Sequence, residues 1–165
     1  MPDSIGLSSA PRLEISPYHT CDAIELLKLG HRQVSEWFKD YDSAGTSARK
    51  QELVSRICNA LQIHAVLEEE IFCPAFVAAT DDHSSYDAAV HDHADVKRLI
   101  DQVLQSSPVD ELFDSRVRIL GDVMAQHMAD EECFGGLLAE AAGSAMDLDV
   151  LGVQLRARLR QLEAG

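Results

Sequence analysis

The sequence predicts an all-α protein, an up-down-up-down four-helix bundle with an additional C-terminal helix. Along four long segments, apolar residues recur in steps of three and four, the spacing of a bundle seam. Short polar breaks separate these segments, and short connections favour antiparallel neighbours. Alternating strand patterns are missing. Gly (9) and Pro (5) are sparse, which disfavours an all-β chain with many tight turns.

The first elements are predicted from their seams. Residues 1–18 are predicted to be an irregular lead-in, since they contain three prolines and several serines. The first helix is predicted over 20–41 and the second over 47–79. Pro74 lies inside the second helix and should kink or loosen its last turns. The first seam comprises Ile24, Leu27, His31, Val34 and Phe38, and the second Leu53, Ile57, Leu61, His64, Glu68, Ile71 and Ala75.

The remaining elements follow the same argument. Helices are predicted over 85–105, 109–134 and 147–163, and the pair Gly135-Gly136 should loosen or end the fourth. The last helix carries only leucines on one side, so it packs outside the bundle as a lid or brace or makes a homodimer contact. The seams comprise Ala89, His93, Val96, Ile100 and Val103; Phe113, Val117, Leu120, Met124, His127, Glu131 and Phe134; and Leu148, Leu151, Leu155, Leu159 and Leu162.

Length and composition bound the organisation. With 165 residues, of which 46% are hydrophobic, the chain has enough apolar material for one domain with a real core. We expect the bundle to span 19–142 and the accessory helix 143–165. No run approaches the ~18 apolar residues of a membrane span. The N-terminus has no signal-peptide pattern. The sequence therefore predicts a cytoplasmic protein without a membrane partner.

Charge excludes one class of partner. Lys and Arg number 14 against 28 Asp and Glu, a net charge of -14. Such a field repels phosphate backbones, and 5% aromatic residues argue against a base-stacking platform. We therefore expect no nucleic-acid partner.

One or two polar residues interrupt the middle of every main seam. Burying a carboxylate without a partner is very costly, and two nearby carboxylates are worse. A divalent cation removes this conflict. The interrupting residues are His31 in the first helix, His64 and Glu68 in the second, His93 in the third, and His127 and Glu131 in the fourth.

The spacing of these residues suits metal ligands. His64–Glu68 and His127–Glu131 are His-x-x-x-Glu pairs, whose members share one helix face. Four imidazoles and two carboxylates exceed the needs of one tetrahedral zinc. They suit two octahedral-leaning ions bridged by carboxylates, with iron favoured and manganese or zinc as substitutes.

Single elements of this pattern also have structural explanations. A lone seam histidine is usually a hydrogen-bonded core residue, and one His-x-x-x-Glu is mostly a local polar pair. Glu69 and Glu70 are predicted to be solvated. The joint occurrence in four seams nevertheless favours a metal. Ferritin-like bundles use Glu-x-x-His pairs instead, and these are missing here.

Three histidines and four cysteines remain. His91 lies two residues before His93, but its helical companions are polar, so His93 is the predicted ligand. His19 and His83 are predicted to be exposed at segment ends. The cysteines form no Cys-x-x-Cys pair and are predicted to be buried thiols: Cys21, Cys58, Cys73 and Cys133.

The order His…His-x-x-x-Glu…His…His-x-x-x-Glu resembles the hemerythrin-like (HHE cation-binding) domain family. The resemblance covers about residues 20–140. It implies a four-helix bundle with a non-haem di-iron centre, oxo- or hydroxo-bridged, in which both glutamates bridge and each iron has two histidines. The implied ligands are His31, His64, Glu68, His93, His127 and Glu131. The matching stretches are DAIELLKLGHRQV, HAVLEEEIFCPAF, HDHADVKRLI and HMADEECF.

The resemblance implies a protein that reacts with or senses oxygen, peroxide or nitric oxide. Two alternatives are an enzyme, with catalase-like disproportionation of peroxide or oxidase chemistry, and iron storage or donation for the repair of iron centres. The small-molecule ligand in each redox case is diatomic or a peroxide.

Overall fold

The computed structural model describes residues 21–165, and every regular element in this range is helical. The predicted lead-in 1–18 and His19 lie outside the described residues. The predicted all-α class is confirmed. The elements are α1 (Ala23–Ser43), α2 (Ser47–Leu67), a π-helical turn (Glu68–Phe72), α3 (Cys73–Thr80), α4 (His83–Leu104), α5 (Phe113–Glu132), α6 (Leu137–Ala142) and α7 (Leu148–Ala164).

Four helices form the bundle. The helix α1 packs on α2 and α5, and α4 packs on α5 and α2, which closes a ring of contacts. Side-chain caps begin three of the four bundle helices, because short polar side chains accept hydrogen bonds from the first free N–H groups. Asp22 caps α1, Thr46 caps α2 and Asp82 caps α4. The first helix therefore begins at Ala23, three residues later than predicted.

A π-helical turn, Glu68–Phe72, interrupts the predicted second helix just before Pro74. In an α-helix, the proline ring would clash with the carbonyl of residue 70, four positions earlier. The wider turn instead lets the Cys73 N–H bond to the Glu68 carbonyl, five positions earlier.

This extra residue moves the buried face by one position. Phe72 and Phe76 are 0% and 1% exposed. The predicted seam residues Ile71 and Ala75 are only half-buried, so that part of the seam prediction is wrong.

The helix α5 is shorter than the predicted 109–134. At its start, the Phe113 N–H bonds to the Asp110 carbonyl in a turn, so the helix begins at Phe113. At its end, Gly135 adopts φ +80°, and the chain folds back. The helix therefore ends at Glu132, two residues before the predicted end at 134, and Phe134 is fully exposed and does not belong to the seam.

The core has two apolar clusters with a polar layer between them. On α1, Leu27 belongs to one cluster and Val34 to the other, with His31 between them. On α4, His93 separates Ala89 from Val96 in the same way. The six predicted polar seam residues therefore share one level of the bundle.

The helix α7 braces the bundle from outside. Leu151, Leu155 and Leu159 are buried in the same cluster as the start of α1, and α7 packs on α1 and α2. A Cβ at Gly152 would lie 2.7 Å from the Cys21 carbonyl oxygen, so glycine permits this close approach. The leucine face of α7 is therefore buried against helices of the same chain. Across residues 21–165, we find no helix with the length and apolarity to cross a membrane.

Candidate metal centre

The structure brings all six predicted ligands together. They are buried, with exposed fractions between 0% and 9%. Their ligand atoms form two groups, and within each group the atoms lie within 4.8 Å of one another. Both groups contain Glu68 and Glu131. The first adds His31 and His64, and the second adds His93 and His127.

Each glutamate divides its two oxygens between the groups. Glu68 Oε1 lies 3.0 Å from His64 Nε2, and Glu68 Oε2 lies 2.9 Å from His93 Nε2. Glu131 Oε2 lies 3.5 Å from His31 Nε2, and Glu131 Oε1 lies 3.4 Å from His127 Nε2. Each group therefore contains one oxygen of each glutamate and two imidazole nitrogens that could hold a cation.

Most of the candidate ligand atoms lack a hydrogen-bond partner, and the exceptions are Nε2 of His31 and Nε2 of His64, which lie 3.0 Å apart. Six buried side-chain atoms of the centre have no hydrogen-bond partner among the described residues. An unsatisfied buried polar atom costs about 1–3 kcal/mol, and more when charged. Cations between the two groups would satisfy these atoms, so the residues fit a metal. The atoms are both carboxylate oxygens of Glu68, both of Glu131, and Nε2 of His93 and His127.

Outer carboxylates orient three of the imidazoles. His31 Nδ1 lies 2.6 Å from Glu132 Oε1, His93 Nδ1 lies 3.1 Å from Glu69 Oε1, and His127 Nδ1 lies 3.5 Å from Asp92 Oδ2. An acceptor at Nδ1 favours the tautomer that keeps the proton there and leaves Nε2 free for a metal.

The seam pattern of the sequence does not predict these orienting acids. Glu69 was predicted to be solvated, but it is half-buried and also accepts from Lys97 Nζ at 2.8 Å. Glu70 is exposed as predicted and pairs with Arg158 on α7. The sequence does contain a signal for them, since Glu69, Glu132 and Asp92 are each adjacent to a predicted ligand in the chain.

Two further histidines, His83 and His91, are exposed and lie away from the centre. His91 is exposed, with Nε2 3.9 Å from Asp95, whereas His93 on the same helix is buried. His83 is exposed, as predicted. The rotation of α4 about its axis therefore turns His93, and not His83 or His91, toward the bundle core.

Without a metal, the two buried carboxylates have very different proton affinities. Burial, and next the Glu68 charge, raise the pKa of Glu131 to about 10. Burial also opposes ionisation of Glu68, but His64 and His93 outweigh it and hold the pKa of Glu68 below its ordinary value. Burial, followed by His64, lowers the pKa of His31 to about 4. The metal-free centre thus keeps Glu131 protonated at neutral pH.

The cysteine prediction holds for three residues. Cys21, Cys58 and Cys73 are buried free thiols, and burial raises the pKa of Cys58 to about 12. The prediction is wrong for Cys133, which is exposed. The reason is that α5 ends at Glu132, so Cys133 lies in the turn that follows.

Comparison with known proteins places the chain in a family. The model of the hemerythrin HHE cation-binding domain matches residues 22–133. The chain therefore belongs to the hemerythrin HHE cation-binding domain family, and it carries the candidate His/Glu ligand groups described above.

Two relatives add to this. A crystal structure of a hemerythrin HHE cation-binding domain-containing protein from Mycobacterium kansasii superposes with a TM-score of 0.71. It is 20% identical and covers 87% of this chain and 88% of that one, which shows the shared fold. A protein from Nostoc sp. described as a DNA nickase is 29% identical over 111 residues. That match spans 66% of this chain but only 30% of the relative.

Proposed function

We propose that His31, His64, Glu68, His93, His127 and Glu131 hold two metal ions, and that both glutamates bridge them. The observation that carries the proposal is the division of each carboxylate between the two histidine pairs, at 2.9–3.5 Å. Mixed imidazole and carboxylate donors suit iron, with manganese or zinc as substitutes.

We infer that the resulting centre reacts with or senses small oxidants, namely oxygen, peroxide or nitric oxide, in the cytoplasm. Bound iron would supply the redox chemistry. Two histidines and two carboxylates for each ion would leave positions open to a small molecule, whereas structural sites are normally closed by protein.

The chain's own residues restrict what reaches the centre. Apolar clusters lie on both sides of the polar layer, and such surroundings should favour small, weakly polar molecules over charged ones. The net charge of -14 opposes large anions. Glu132, Glu69 and Asp92 hold three imidazoles in the orientation that directs Nε2 inward.

The test compares the redox function with iron storage. Ferrous-loaded protein is mixed with air or with peroxide while its absorption from the near ultraviolet to the visible is recorded, and a chelator competition is run in parallel. We expect rapid oxidation with new ligand-to-metal bands, some peroxide disproportionation and slow iron loss to the chelator. Protein unchanged by both oxidants, with ready iron release, would leave a storage or donation role.

Two further interpretations receive less support. The name of the Nostoc relative suggests DNA, but the match covers 30% of that protein and a charge of -14 repels phosphates. We therefore propose no nucleic-acid partner. The leucine face of α7 is buried within the chain. A homodimer through α7 therefore remains a prediction, and its contact would use the outer side, where Val150 and Val153 are exposed.

A further inference from the structure

A small apolar pocket lies between α1 and α2 beside the candidate metal centre. Its volume is about 40 Å³. We call it the α1–α2 pocket. Its rim residues Leu29, Gln33, Ala60 and Ile63 are half-buried, so it is approached from the surface. The buried lining comes from all three neighbouring helices: Leu26, Leu27, Val34, His64, Leu67 and, from α7, Leu159.

Gly30 allows the pocket to reach the His64 ring. A Cβ at Gly30 would lie 3.4 Å from His64 Nδ1 and 4.0 Å from Cε1. These are ordinary contact distances, so a methyl group fits there but a longer side chain has to occupy the pocket. The absence of a side chain at this position therefore leaves the outer edge of His64 open to the pocket.

His64 differs from the other three histidines of the centre at this outer edge. His31, His93 and His127 have a carboxylate near Nδ1. Within residues 21–165, the hydrogen bonds of the structure provide no such acceptor for His64 Nδ1. His64 Nε2 is directed at the centre, 3.0 Å from His31 Nε2, and the Nδ1 edge of the ring faces the pocket beside Gly30.

The pocket's size and chemistry define its occupant. A water molecule needs about 10–15 Å³ of such space, so 40 Å³ accommodates two or three heavy atoms. The lining is almost wholly aliphatic, with Gln33 and His64 as its polar members. A charged ligand would lose its hydration there without an ionic partner, and the net charge of -14 repels anions in particular.

We propose that the α1–α2 pocket binds a neutral, weakly polar molecule of two or three heavy atoms, the class that contains dioxygen and nitric oxide, against the outer edge of His64. This deepens the proposed function, because it assigns the approach of such molecules to the His31–His64 half of the centre. The pocket's capacity to bind them does not depend on redox chemistry at the metal.

The experiment uses xenon as the probe and nuclear magnetic resonance as the readout. The full chain is loaded with diamagnetic zinc, and amide and imidazole shifts are followed as xenon pressure rises. The metal-free chain is titrated in parallel. We expect saturable shifts centred on Gly30, Ala60 and His64. Absence of saturation, or shifts centred elsewhere, overturns the proposal.

Pocket-filling variants provide the matched comparison. We expect Gly30→Leu to weaken xenon binding by about tenfold or more, since a filled cavity leaves the atom no contacts. Ala60→Leu fills the pocket from the α2 side. It replaces Gly30→Leu in the comparison if that variant folds poorly. Gly45→Leu is the control, because a Cβ placed there meets nothing within 4 Å. Unchanged binding in both folded pocket variants would contradict the proposal.

The two proposals fail in different ways. If the chain takes up no metal but still binds xenon at His64, the pocket proposal stands and the proposed metal function fails. If the chain binds two metals but shows no saturable xenon site, the proposed metal function stands and the pocket proposal fails. A final comparison of ferrous oxidation in Gly30→Leu and Gly45→Leu should show slower oxidation only in the former.

Discussion

At the scale of single residues, α4 offers an internal control for ligand assignment. His93 is buried against Glu68, and His91, two residues earlier, is exposed. We expect His93→Ala to reduce the metal content of iron-reconstituted protein below two ions per chain, because one ion loses a nitrogen ligand. His91→Ala should retain both ions.

Elemental analysis with protein quantification checks this prediction. Circular dichroism on the same samples confirms that both variants are folded. Metal loss in His91→Ala together with full loading of His93→Ala would reverse the assignment.

The pKa of Glu131 gives a prediction for the metal-free chain. It rises from an ordinary 4.5 to about 10, so the folded state holds a proton that the unfolded state has released at neutral pH. Stability is then lost as pH rises through this window. We expect the free energy of unfolding to fall by up to about 1.4 kcal/mol per pH unit near neutrality.

Glu131→Gln is the matched control, since its amide cannot ionise. Urea unfolding of the two metal-free proteins at several pH values near neutrality measures the difference in slope. Identical slopes would show that Glu131 does not carry the proton. Metal uptake by the native sequence should also release a proton, which calorimetry in buffers of different ionisation enthalpy detects.

At the scale of elements, the end of α5 depends on Gly136. A Cβ on this residue would lie 2.1 Å from the Asp130 carbonyl oxygen and 2.6 Å from that of Glu131. Gly136→Ala therefore has to displace the last turn of α5, which carries a candidate ligand. We expect a loss of about 2–4 kcal/mol in unfolding free energy and reduced metal loading.

Gly143→Ala is the control for this change. Gly143 has φ −89°, and the nearest atom to its Cβ position is 3.7 Å away. Its effect should stay within about 1 kcal/mol. Denaturant unfolding and metal analysis are carried out on both variants. Equal losses of unfolding free energy and metal content in the two would contradict the argument.

At the scale of the whole molecule, metal content and stability should be linked. The six candidate ligands come from four helices, so a cation bound to them favours the folded state over the unfolded one. We expect iron to saturate at two ions per chain and to raise the melting temperature. Calorimetry on metal-free and loaded protein tests the second point.

Two results would contradict this prediction. One is saturation at a single ion, since the second histidine pair would then have no role. The other is an equal melting temperature with and without metal. Glu131→Gln serves as a comparison, because loss of one bridging carboxylate should lower both the stoichiometry and the metal-dependent stabilisation.

The sequence by itself determined the helical class and the composition of the candidate centre. Apolar spacing of three and four residues identifies a buried helix face, so His31, His64, His93 and His127 could be assigned inward from their seam neighbours. The choice of His93 over His91 followed from the same periodicity, and the structure buries the one and exposes the other.

Only the tertiary structure decided features that depend on contacts between helices or on local backbone geometry. The π turn before Pro74 moved the buried face from Ile71 to Phe72, because one extra residue in a turn shifts every later side chain. The end of α5 at Glu132 left Cys133 and Phe134 exposed in the turn that follows. Periodicity cannot anticipate either, since it assumes a uniform helix.

The orienting carboxylates and the pocket belong to the tertiary structure for the same reason. Glu69 approaches His93 from another helix, and Glu132 approaches His31 across the bundle. The opening beside His64 exists because Gly30 on α1 faces α2 and Leu159 of α7 lines the same pocket. One-dimensional spacing determines which face a residue occupies, whereas the distance between faces of different helices is set by how they pack.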